Sequence, residues 1–112
     1  MRRNSWHILR DPDGAVTLSR RLPVQFDLVV TSHLPRAGKL RVAQQIRQDM
    51  WRALQAVKGF APAVRVADTQ NGLCITAGGQ VAGRYPRAQA EALLRGVLED
   101  TRNRARWVRC AS

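Results

Sequence analysis

Residues 34–52 read LPRAGKLRVAQQIRQDMWR, and the fold turns on whether Gly38-Lys39 closes a phosphate-binding loop or opens an amphipathic helix. A P-loop needs a glycine five positions before the Gly-Lys pair and a Ser or Thr directly after it, because backbone amides cradle the phosphates and the hydroxyl holds magnesium. His33 and Leu40 occupy those two positions. The apolar spacing decides for the helix: Leu40, Ala43, Ile46, Met50, Leu54 and Val57 recur at steps of three and four, the stripe of a helix lying on a core. Pro35 suits a position at or before the helix start and Gly59 suits its end, which leaves Lys39 as a first-turn surface residue.

Upstream of this helix, Trp6 and Ile8, the turn sequence DPDG at 11–14, then Val16 and Leu18 form a hairpin pattern. Residues 24–31, VQFDLVVT, alternate as a half-buried strand, with Val24, Phe26, Leu28 and Val30 on one face. Downstream, residues 61–67 read as a strand, DTQNG at 68–72 as a turn and LCITA as the antiparallel partner, with Gly78-Gly79 turning the chain into a third short strand, QVAGRY. From Pro86 the chain becomes helical again, with Ala90, Leu93, Leu94, Val97 and Leu98 on its apolar face. The expected fold is α+β: a single small domain over residues 1–101, an antiparallel sheet of about four to six short strands with two helices packed on one face. Residues 102–112 form an Arg-rich C-terminal extension that either lengthens the last helix or makes a tail.

The chain has 112 residues, enough for one hydrophobic core and too few for a second, and its 45% hydrophobic content argues against disorder. Charge is the informative quantity. Nineteen Lys and Arg stand against eight Asp and Glu, a net charge of +11 that concentrates polyanions, nucleic acid first. All of the basic residues except Lys39 and Lys58 are Arg; a GC-rich coding sequence explains that ratio, but not the scarcity of acids. No stretch reaches the ~20 apolar residues of a membrane helix, and Asp11 arrives before any apolar run of a secretory signal develops. The two cysteines, Cys74 and Cys110, suit a reducing compartment, and the expectation is a cytoplasmic protein.

Two patches are candidates for nucleic-acid contact. On the first helix Arg41, Gln45, Gln48 and Arg52 share an outer face, with Arg47 and Trp51 on its flank and Asp49 interrupting it. Guanidinium and amide groups contact phosphates and base edges, and an indole offers a stacking surface. In the C-terminal run, Arg102, Arg104, Arg106 and Arg109 surround Trp107 with no acid beyond Asp100, a pairing suited to following a strand while stacking on a base. Arg2, Arg3, Arg20 and Arg21 extend the basic surface, and Arg84 and Arg87 flank a helix N-terminus in GRYPR, where backbone amides favour phosphate.

From residue 36 onward the order helix, three short strands, helix is similar to that of the double-stranded RNA-binding domain, and GGQVAGRYPRAQAEALL resembles that family's passage from its third strand into its last helix. The resemblance implies duplex RNA among the possible ligands. That family carries a lysine cluster at the start of its last helix, where this chain has only Arg87, and the first 35 residues lie outside the resemblance.

Catalytic and metal chemistry find little footing. His7, His33, Cys74 and Cys110 are far apart, with no Cys-x-x-Cys or His-x-x-x-His pair to seed a zinc site, and neither histidine has an identifiable nucleophile. No metal, cofactor or catalytic residue is expected. Two other functional classes stay open: an accessory subunit or adaptor docking an acidic protein through its basic face, and a small nuclease combining His33 with Asp27 and an arginine.

Overall fold

A computed structural model describes residues 6–111 of the chain. Its first element pair follows from the DPDG turn. The Gly14 N–H donates to the Asp11 carbonyl at 2.9 Å and the Asp13 carboxylate accepts the Ala15 N–H at 3.0 Å, with Gly14 at φ 93°. These bonds close a hairpin between β1 (His7–Arg10) and β2 (Val16–Ser19). After β3 (Leu28–Leu34) come α1 (Lys39–Ala53), β4 (Phe60–Thr69), β5 (Gly72–Val81), α2 (Arg87–Glu99) and α3 (Thr101–Cys110). The strands form one open antiparallel sheet in the order β1-β2-β4-β5-β3. No helix among the described residues is long and apolar enough to cross a membrane.

Strand alternation assigns the two faces of this sheet. Leu18, Val64, Ala77 and Val30 are successive cross-strand partners and make one apolar row; Val66 and Ile75 lie in the next. α1 buries Val42, Ala43, Ile46 and Met50 in this core, α2 buries Ala90, Leu94 and Leu98, and α3 adds Trp107. The opposite face carries the row Leu9, Thr17, Arg65, Thr76 and Thr31.

The α+β architecture is the expected one, and the sheet and helix positions are largely those the periodicities imply. Four details differ. Strand pairing of β3 begins at Leu28, not Val24, because the Asp27 carboxylate takes the Val81 N–H at 3.0 Å in place of a ladder bond. α1 ends at Ala53, ahead of Gly59, and the Val57 N–H bonds to the Leu54 carbonyl in a tight turn. Gly78-Gly79 makes no turn: β5 runs through it, so two ten-residue strands, not three short ones, connect α1 to α2. The helix–strand order that resembles the double-stranded RNA-binding domain is therefore absent.

The fourth difference is a third helix. Where an extension of α2 or a tail was expected, Asp100 breaks the chain at ψ 121° and its side chain accepts the Asn103 N–H at 2.9 Å, an N-cap that starts α3. α3 packs back on the domain, and its end is fixed where the Gly38 N–H donates to the Ala111 carbonyl at 2.9 Å.

Candidate nucleic-acid interface

The thirteen residues singled out from the sequence separate into internal and external groups. Trp107 is wholly buried, and its indole N–H donates to Asp49 Oδ2 at 2.7 Å. Arg106 donates to the same oxygen at 2.6 Å, to Gln45 at 3.3 Å and to Asn103 at 2.9 Å. Arg104 holds Ser32 Oγ and the Leu98 carbonyl, each at 2.9 Å, and also the His33 carbonyl, so it ties α2 and α3 to β3. Gln45, Arg104, Arg106 and Trp107 thus join α3 to the rest of the fold, and Trp107 has no free ring face to offer a base. Arg87 is spent in part on the Asp27 carbonyl at 2.8 Å and lies 5.4 Å from the Tyr85 ring centre.

Arg41, Gln48 and Arg52 remain exposed along α1, as do Arg84 before α2 and Arg102 and Arg109 on α3. Arg47 and Trp51, one helical turn apart, line a cleft with Trp6, Arg20, Phe60 and Pro62. Its volume is about 280 Å³. Four segments build it: the residue before β1, the end of β2, the start of β4, and α1. The Arg20 N–H donates to the Pro62 carbonyl at 3.0 Å, fixing the β2 end beside β4. The Arg47 guanidinium carbon lies 4.7 Å from the Trp6 ring centre, within cation–π range. Its Nε is buried with no hydrogen-bond partner among the described residues. Trp51 forms the outer wall and is 51% exposed.

Charge is distributed unevenly along the sheet axis. At the end bearing the β1–β2 and β4–β5 turns, two acids are matched by bases: Asp68 meets Lys39 at 2.7 Å and Arg36 at 3.5 Å, and Asp11 meets Arg65 at 3.1 Å, while Asp13 accepts the Ala15 N–H. The hydrogen bond from Lys39, aided by the fields of Lys39 and Arg36, holds the Asp68 carboxyl below its ordinary value of 3.8. At the other end, where β2 finishes and β4 starts, stand Arg20, Arg21, Arg47, Arg52, Lys58 and Arg84, and no carboxylate lines the cleft. Asp27, at the same end, directs its carboxylate to the Val81 N–H.

Phe60 and Pro62 carry no polar side-chain group to mark them in the sequence, and Trp6 is distant from both; only the pairing of β2 with β4 brings the three to α1. Arg20, expected to extend the basic surface, lines this cleft. Arg2 and Arg3 lie outside the described residues. His33 and Cys74 prove to be direct cross-strand partners, although no group of three or more His, Cys, Asp or Glu among the described residues is arranged to hold a metal ion. Comparison of the chain with protein-family models, with curated proteins and with solved structures finds no match.

Proposed function

We propose that the protein is a small basic nucleic-acid-binding protein without catalytic activity, acting in the cytoplasm, and that it contacts phosphates with the outer face of α1 and the basic end of the sheet. The observation carrying this reading is the segregation of charge: Asp68 and Asp11 at one end meet Lys39, Arg36 and Arg65, while Arg20, Arg47, Arg52, Lys58 and Arg84 stand toward the other end, where no carboxylate lines the cleft. A one-signed field of this kind attracts polyanions and speeds their encounter. Arg41, Gln48 and Arg52 extend the same surface along α1.

Two further observations support the reading. Asp27, just before β3, and His33, near its end, the carboxylate and imidazole a small nuclease would combine, are six residues apart along an extended chain, roughly 20 Å at strand spacing. The free thiols Cys74 and Cys110 suit a reducing compartment.

Fluorescence anisotropy of labelled DNA and RNA titrated across a salt series tests the proposal. About six phosphate contacts give a log–log slope of roughly −4 for a single strand and −5 for a duplex. A slope near zero, or no binding of any DNA or RNA near physiological ionic strength, rejects it; a pull-down that survives nuclease would then favour the acidic protein partner.

A further inference from the structure

We infer that the cleft between α1 and the β2–β4 end receives one unpaired nucleobase with its phosphate, so that the protein selects single-stranded over duplex nucleic acid. This inference rests on the nucleic-acid reading above. The exposed row Arg41, Gln48 and Arg52 is a convex helix surface, equally able to follow the phosphates of a duplex or a single strand. The cleft is not. It is a recess of about 280 Å³, just below the usual range of ligand sites (roughly 300–1,000 Å³), and it is lined by the aromatic side chains of Trp6, Trp51 and Phe60 and by Pro62.

A duplex keeps its bases stacked inside, and its backbone has nothing planar to place in such a recess. An unpaired base has two free faces, and stacking on an indole accepts any base. The rings alone would admit a neutral aromatic group; the arginines specify an anion attached to it. Arg47 has its guanidinium carbon 4.7 Å from the Trp6 ring centre, while its Nε has no acceptor among the described residues. A buried donor left unsatisfied is unfavourable, and a phosphate oxygen supplies the acceptor that the protein does not. A small swing of the Arg47 side chain presents Nε and one terminal nitrogen to a phosphate as a fork, the bidentate geometry that distinguishes Arg from Lys. Arg20 lines the same cleft, and no carboxylate is among the lining residues. An acidic peptide would satisfy the arginines, but it would leave the ring walls facing water.

The test compares a single strand of about 12 nucleotides, the duplex of the same sequence, and adenosine monophosphate alone, each with the intact chain and with Trp51→Ala, Arg47→Lys and Arg52→Ala. Trp51 is half exposed, so its truncation leaves the core in place. The single strand is expected to bind at least about tenfold more tightly than the duplex, and Trp51→Ala to weaken the single strand ~10-fold, the effect of one base–aromatic stack, with less than a twofold change for the duplex. Arg47→Lys, which keeps the charge and loses the fork, should also weaken the single strand selectively. Arg52→Ala should weaken both strand forms alike. Saturable binding of adenosine monophosphate that is lost in Trp51→Ala would support the cleft and identify the free nucleotide as a sufficient ligand. Salt-dependent binding in which duplex equals single strand and Trp51→Ala changes neither would overturn the inference while leaving the nucleic-acid reading intact. Binding of an acidic peptide but of none of the three nucleic-acid probes would overturn both.

Discussion

At the scale of single residues, Asp49 shows how a charge pattern misleads. In the sequence it is a lone acid that interrupts a basic helix flank. In the fold its Oδ2 accepts both the Trp107 indole N–H at 2.7 Å and the Arg106 guanidinium at 2.6 Å, with only 11% of its side chain exposed. One carboxylate thus engages two of the predicted binding residues, the buried Trp107 and the partly exposed Arg106, and anchors α3 to α1. Asp49→Ala leaves a buried indole donor without an acceptor and should destabilise the protein by about 2–3 kcal/mol in urea titrations. Asp49→Asn keeps an acceptor for the indole and should lose less than half as much. Equal losses for the two variants would mean that charge, rather than hydrogen bonding to Trp107, holds the helix.

At the scale of elements, what the sequence made legible depended on whether a local signal had one structural meaning. The stripe from Leu40 to Leu54 could be only a helix on a core, and the DPDG hairpin and the DTQNG turn were equally readable. Gly78-Gly79 had two meanings, because the absence of a Cβ serves a tight turn and a close strand approach alike. Only the neighbouring strands decide. A Cβ on Gly78 would lie 1.8 Å from the Leu28 carbonyl oxygen, and one on Gly79 would lie 2.1 Å from that of Ala61. α3 was obscured for a different reason: Trp107 is its one fully buried side chain, too little for a visible period, and its start is marked only by the Asp100 cap. The cleft was least legible of all, since its walls come from four segments joined by strand pairing.

The glycines also allow a prediction of opposite signs. Gly78→Ala sets a Cβ against backbone at φ 152°, so β3 and β5 must separate, with an expected loss of at least about 2 kcal/mol. Gly96→Ala on α2 meets nothing within 4 Å and should gain about 0.5–1 kcal/mol from reduced unfolded-state freedom and better helix propensity. Thermal or urea unfolding of the two variants in parallel checks both values, and a stabilising Gly78→Ala would contradict the close approach of the strands.

At the scale of the whole molecule, the question is whether a net charge of +11 acts as a diffuse cloud or as a located surface. The two make different predictions for substitutions that change the total charge equally. Arg52 and Arg84 stand at the basic end, whereas Arg109 lies beside Leu34 and Pro35 toward the opposite end, and Arg102 is on the first turn of α3. All four are exposed, so their reversal leaves the core untouched. If only total charge matters, Arg52→Glu with Arg84→Glu and Arg102→Glu with Arg109→Glu should weaken nucleic-acid binding alike. If the surface is located, the first pair should lose at least about tenfold in affinity and flatten the log–log salt slope by roughly 1.4–1.8, the share of two phosphate contacts, because the slope counts the phosphates neutralised. The second pair should lower only the long-range attraction, which is screened beyond about 8 Å at physiological ionic strength, and leave the slope nearly unchanged. Anisotropy titrations of both double variants from low to physiological salt read the two quantities together. Equal slopes and equal losses would assign the basic character to the molecule as a whole and remove the argument for an oriented contact.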